Sequence, residues 1–171
     1  MFVRRHRAGI NVWQVDSWTD LGVLHGFSDR FGGVSRGPYA SLNVGLHVGD
    51  EPADVIENRR RLCRALGVDP ESLVAGEQVH GIQVAVATAA DKGRGAFSLI
   101  DVVPGVDAII TDTPGVTLFA MYADCVPVFL YDPRRRAVGL AHAGWKGTVA
   151  GIARRTVQAM HETFGSRPAD M

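Results

Sequence analysis

The chain is poor in cysteine, has no excess charge of either sign and lacks a long apolar run. Each shortage removes a class of protein. Two cysteines among 171 residues, Cys63 and Cys125, are too few for the disulfide framework of a small secreted domain, and they suit a reducing compartment. Eighteen basic and eighteen acidic residues cancel to a net charge of zero. That leaves no electrostatic footprint for nucleic acid or an anionic membrane surface. The most apolar stretch, residues 116–131, is too short to cross a bilayer and contains Asp124 and Pro127. Residues 1–7 read M-F-V-R-R-H-R and lack the apolar core and cleavage site of a secretory signal. There is no Walker loop and no G-x-G-x-x-G, so no nucleoside triphosphate or dinucleotide site is expected. These absences lead to a cytoplasmic protein with no nucleic-acid partner and no membrane partner.

Hydrophobic residues make up 46% of the chain and charged residues 21%, enough for a real core in one domain spanning 1–171. Apolar clustering predicts strands over 11–15, 21–27, 73–79, 82–88, 107–111 and 115–122, with weaker alternation over 41–49. A helix is expected from an N-cap at Asp50, with Pro52 in its first turn, to Leu66, where Gly67 is placed to end it. Val55, Arg59, Leu62, Cys63 and Leu66 share one face of that helix, so Cys63 reads as core filler rather than reagent. A second helix is expected over 148–164, with Val149, Ile152, Ala153, Val157, Met160 and Phe164 as its apolar stripe and Gly165 at its end. Strands, helix, strands, helix describe an α/β protein with a mixed sheet.

The stretch 123–147 carries the chemistry: A-D-C-V-P-V-F-L-Y-D-P-R-R-R-A-V-G-L-A-H-A-G-W-K-G. It reads as a strand, a polar turn at D-P-R-R-R and a second strand. A hairpin would set Cys125, which opens the first strand, beside His142, which closes the second. His80, in E-Q-V-H-G, also borders a breaker at a strand end. Two imidazoles and a thiolate are borderline-soft donors that suit Zn²⁺, and three protein ligands leave one tetrahedral position open, the catalytic pattern. The same set with Met121 as axial ligand would suit blue copper. Six histidines in all are too few for the further cluster of a multicopper oxidase, so copper ranks below zinc. The remaining alternative is a metal-free cysteine hydrolase, with Cys125 as nucleophile, His142 or His80 as base and Asp124 orienting the histidine.

Other polar groups fall around this stretch. Lys146 stands at the entry to the last helix, where free N–H groups favour an anion. Arg59 and Arg60 follow Asn58 in the first helix, and one of the two is expected on a solvated face. Ser41 and Asn43 suit hydrogen bonds to a substrate hydroxyl or phosphate, and equally suit turns.

The runs D-R-F-G-G-V-S, S-L-N-V-G-L-H-V-G-D, N-R-R-R-L, E-Q-V-H-G, G-V-D-A-I-I-T-D, A-D-C-V-P and A-H-A-G-W-K-G together resemble the laccase-domain proteins. That family was named for polyphenol oxidation and has been described as purine nucleoside phosphorylases with adenosine deaminase activity. A bacterial branch is called peptidoglycan editing factor. The resemblance runs from about residue 22 to 165. It implies a layered α/β sandwich of mixed β-sheets flanked by helices, with His80, Cys125 and His142 as zinc ligands. Purine nucleoside and phosphate are the implied substrates. Asp124, Lys146 and Arg59 are then the catalytic candidates, and Ser41 and Asn43 the substrate-binding ones. Family members continue past the last helix into a strand and a motif like G-P-x-I-G-P-C-C-Y, which is not in this sequence. The resemblance therefore implies a C-terminally truncated fold, with self-association through the truncated edge as a consequence, and a non-catalytic, metal-stabilised binding domain as the competing reading.

Overall fold

The computed structural model describes all residues 1–171, which fall into two compact units, Met1–Pro70 and Glu71–Met171.

The first unit opens with β1 (Phe2–Arg7) and β2 (Ile10–Val15), antiparallel and joined by Ala8-Gly9. Both linking residues have positive φ, 48° and 80°, as a tight two-residue hairpin turn requires. Along β2 the side chains alternate, with Ile10 and Val12 fully buried and Trp13 outside. β1 has only Val3 and Arg5 partly buried and the rest exposed, and its four basic residues hide it from an apolar-pattern search. The strand expected over 21–27 is not there. A 3₁₀ helix, Asp16–Leu21, ends at Gly22 with φ 70°, and only β3 (Phe27–Ser28) pairs with β2.

The stretch 41–49 also forms turns rather than a strand, and the reason lies in α1 (Pro52–Leu66). Asn58, fully buried on α1, accepts from the Val34 N–H and has its amide nitrogen within reach of Ser35 Oγ, Ser41 O and Asn43 O. The loop backbone is thus satisfied by a helix side chain and needs no strand partner. The helix begins after Glu51, not at Asp50. The Asp50 carboxylate is taken by Ser35 Oγ at 2.6 Å, Asn43 Nδ2 at 2.9 Å and the Glu51 N–H. Gly67 ends α1 in the left-handed region as expected, φ 72°. Cys63 is 3% exposed in this core, and burial pushes its thiol up to about 11 although Arg59 pulls it down.

The second unit carries β4 (Leu73–Ala75), β5 (Val84–Val86), β6 (Ala108–Thr111), β7 (Thr117–Phe119), β8 (Val126–Asp132) and β9 (Ala137–Ala143), followed by α2 (Trp145–Ala150) and α3 (Ile152–Phe164). β4 and β7 form a parallel pair, and the other four strands a mixed sheet in the order β5-β6-β9-β8. All of β6 is buried, because both faces are covered. Ala108 packs with Ala141, Ala143 and Ile152, and Ile110 with Ala137 and Met160. Ile109, pointing the other way, packs with Val74, Val106 and Leu118. This is an α/β fold with mixed sheets and helices, as expected.

The last helix departs from expectation in phase. It is two helices, broken at Gly151 with φ 86°. Val149 therefore falls outside the buried stripe and is 84% exposed, and Ala153 is exposed too. The face laid on the sheet is Ile152, Thr156 and Met160, all fully buried, with the Thr156 hydroxyl satisfied by the Ile152 carbonyl at 2.8 Å.

Candidate metal centre

Three breakers bring three soft donors together. The β8–β9 hairpin forms as its sequence indicates, turning at Asp132, whose Oδ1 accepts from the N–H groups of Arg134 and Arg135. Its register pairs Pro127 with His142 and Val126 with Ala143, so Cys125, one residue before β8, lies beside His142 in β9. His80 arrives from the connection between β4 and β5. The ligand atoms of His80, Cys125 and His142 all lie within 4.8 Å of one another, with Cys125 Sγ 3.8 Å from His80 Nε2. Ligands on a tetrahedral Zn²⁺ would stand about 3.4–3.6 Å apart given zinc's usual bond lengths, so the three donors would have to draw together by up to about 1 Å around a metal.

A buried carboxylate organises this cluster. Asp107 precedes β6 and its side chain is fully buried. Its Oδ1 accepts from His142 Nδ1 at 2.8 Å and from the His80 N–H at 2.9 Å; its Oδ2 accepts from Val79 N–H at 3.2 Å and Gly81 N–H at 2.7 Å. Burial pulls the carboxyl pKa up, but these four donors outweigh it and hold the group below the ordinary carboxylate range. With Nδ1 bound to Asp107, His142 presents Nε2 as its free lone pair, the tautomer a metal ligand needs. His80 adopts φ 62°, a left-handed conformation uncommon outside glycine, and the three N–H groups on Asp107 hold it there.

Packing completes the site. The His80 and His142 rings meet edge-on at 4.9 Å, and Tyr122 lies 5.6 Å from His142 with its hydroxyl donating to the Ala141 carbonyl. Burial raises the Tyr122 phenol, which keeps it a neutral donor. Gly144 lies against His80 and Cys125: a Cβ there would stand 2.5 Å from His80 Cδ2 and 3.3 Å from Cys125 Sγ. Gln78 fixes the approach to Cys125 by a two-way pairing with Met121, Nε2 to O at 2.7 Å and N to Oε1 at 2.8 Å.

Asp124 is exposed, with its carboxylate 3.9 Å from Cys125 Sγ; it does not orient a histidine, since Asp107 holds His142. Lys146 is exposed in the first turn of α2, its Nζ 5.7 Å from the Trp145 ring. Arg59, Ser41 and Asn43 belong to the first unit. Arg59 is 1% exposed, donates Nε to the Val44 carbonyl at 2.8 Å, and is pushed down to about 10 by burial, while Arg60 is the exposed neighbour. Ser41 Oγ bonds Gly33 N–H and Arg30 O, and Asn43 bonds Gly45 and Asp50. Asp107 and Gln78 were not singled out by sequence reasoning. The signal for Asp107 was a carboxylate directly before the apolar run A-I-I, where an acid has no business unless it is paired.

The family model described as multi-copper polyphenol oxidoreductase laccase matches residues 24–171. The chain belongs to this laccase family. Among curated laccase-family relatives, purine nucleoside phosphorylase YlmD of Geobacillus stearothermophilus is 46% identical over 150 residues, covering 88% of this chain and 55% of the relative. A purine nucleoside phosphorylase of Deinococcus radiodurans is 46% identical over 149 residues, covering 87% and 54%. The chain thus spans about half the length of the curated relatives it matches. The crystal structure of Geobacillus stearothermophilus YlmD superposes with a TM-score of 0.92 at 43% identity, covering 99% of this chain and 62% of that one. No helix of this family member is long and apolar enough to cross a membrane.

Proposed function

We propose that this laccase-family chain carries the metal centre of a zinc-dependent purine nucleoside phosphorylase. The reaction would cleave the glycosidic bond of a purine nucleoside with phosphate, giving free base and ribose 1-phosphate, with adenosine deamination as a second activity. The observation that carries the reading is the convergence of His80, Cys125 and His142 within 4.8 Å, in a chain whose similar relatives bear the name purine nucleoside phosphorylase. The two histidines and the thiolate would hold the metal. Zinc bound there supplies a Lewis acid that polarises a substrate oxygen or lowers the pKa of water.

The chain's own residues supply the rest. Asp124, exposed one residue before Cys125, is suited to move a proton at the substrate. Lys146, exposed on α2, is the cation nearest in sequence to His142 that can meet phosphate. Arg59 is a second candidate cation by the family resemblance alone, since it is 1% exposed and donates to the Val44 carbonyl. Ser41 and Asn43 are assigned to substrate hydroxyls or phosphate. With Cys63 and Cys125 both free thiols, a reducing, cytoplasmic setting suits the site.

The test is phosphate-dependent release of free base and ribose 1-phosphate from purine nucleosides by the zinc-loaded protein, with ammonia release from adenosine followed in parallel. Phosphate-independent turnover, or none that the Cys125→Ala variant abolishes, would sink the reading. One observation favours a second reading: Asp107 holds His142, and a ligand nitrogen of His142 lies within 4.8 Å of Cys125 Sγ, the order of groups in a cysteine hydrolase. Activity that survives thorough chelation and is lost on thiol alkylation would select it.

A further inference from the structure

Asp107 has no part in the proposed phosphorolysis, yet it is fully buried beside the metal cluster. A carboxylate with no exposed surface is costly unless every lone pair is engaged, and here four donors engage it. Those donors come from two different ligands. One is the His142 ring itself. The other three are consecutive backbone N–H groups centred on His80, a concave arrangement that selects an anion.

We propose that Asp107 is the positioning residue of the metal centre, a single carboxylate that sets both histidine ligands at once. It fixes the ring orientation and tautomer of His142 through Nδ1, and it fixes the left-handed backbone that presents His80. The inference rests on the metal reading above and adds to it a residue that contacts neither metal nor substrate. Asparagine is the discriminating substitute. It keeps the size of the side chain, but one of its two terminal atoms becomes an NH₂ donor. Whichever way the amide turns, that NH₂ faces N–H donors: two of the loop N–H groups if it replaces Oδ2, or the His80 N–H and His142 Nδ1 if it replaces Oδ1. In the second orientation His142 must give up its Nδ1 proton and place it on Nε2, the atom needed for the metal.

The experiment measures Zn²⁺ affinity by competition with a chromophoric chelator, and the visible spectrum of the Co²⁺-substituted protein, for wild type and Asp107→Asn. Apo-protein circular dichroism and melting are the control for folding. Outer-shell partners of metal-bound histidines are typically worth about 10–100-fold in affinity, and a loss in that range is expected, with an altered Co²⁺ spectrum, in a variant whose apo form is folded. Wild-type affinity and an unchanged Co²⁺ spectrum in a folded Asp107→Asn would overturn the proposal. If Asp107→Asn does not fold, the tautomer of His142 in the wild-type apo protein decides, read from imidazole ¹⁵N shifts: a proton on Nδ1 supports the proposal and a proton on Nε2 refutes it. Wild-type protein that takes up neither Zn²⁺ nor Co²⁺ would overturn the metal reading itself, a failure separate from that of Asp107.

Discussion

Replacing Gly144 with alanine adds one methyl group against His80 and Cys125 and changes nothing else. The backbone there is extended, φ −68° and ψ 166°, so alanine adopts it without strain. The new Cβ would stand 2.5 Å from His80 Cδ2 and 3.3 Å from Cys125 Sγ. Carbon–carbon contacts settle near 3.5–4.0 Å, so the His80 ring must retreat by about 1 Å. His80 is exposed and can swing outward, which holds the folding cost to about 1 kcal/mol, the low end of overpacking. Metal binding has to close the set from separations of up to 4.8 Å to distances held within about 0.2 Å, and a methyl that holds the His80 ring outward opposes that closure. Gly144→Ala should therefore melt within a few degrees of wild type as apo protein, yet bind Zn²⁺ at least about 100-fold more weakly, the upper end of what a lost supporting bond costs. Chelator competition and apo melting curves are the assays. Wild-type affinity in Gly144→Ala would refute the packing argument, and with it the role of His80 as a ligand.

Three further outcomes follow from the same structure. Cys63 has its pKa raised by burial from 9.0 to about 11, so its contribution to stability is fully present below about 9 and is lost as pH rises through about 11. That loss amounts to about 3 kcal/mol at most and should vanish in Cys63→Ala, whose metal content is unchanged; denaturant titrations of both proteins between pH 8 and 11 measure it. Asp132 is drawn up by burial but held below its ordinary value by the N–H groups of Arg135 and Arg134. Its stabilisation is thus present above about pH 4 and lost as pH falls through the lower folded value, and Asp132→Ala should cost about 1–3 kcal/mol at neutral pH and much less in acid. Gln78→Ala removes both bonds to Met121 and should cost about 1–2 kcal/mol, with weaker Zn²⁺ binding because the segment leading to Cys125 is loosened; equal melting and equal affinity would count against that bracing role.

How much of this was legible depended on whether the signal was local. The β8–β9 hairpin is written in two apolar runs around D-P-R-R-R, and its register alone brings Cys125 to His142. The soft-donor chemistry of His80, Cys125 and His142 was readable for the same reason: each borders a breaker, so each sits where chains converge. What escaped the sequence is polar and buried. Asn58 is buried on α1 because it satisfies the backbone of the 34–43 loop, and Arg59, on the face that the apolar spacing marks, does the same for Val44, so that residues 41–49 form turns instead of the expected strand. Asp107 looked like the polar start of a strand, since nothing local reveals that its four donors come from residues 26 to 35 positions away. The break at Gly151 was missed because apolar spacing continues across it; only the φ of 86° shifts the buried stripe off Val149.

The most direct measurement is the metal-to-protein ratio after Zn²⁺ loading and exhaustive dialysis, for wild type and for Cys125→Ala and His142→Ala. A centre built from His80, Cys125 and His142 should retain about one Zn²⁺ per chain in the wild type and little in either variant. Wild-type protein that retains no more zinc than the variants, with its fold intact, would contradict the metal centre.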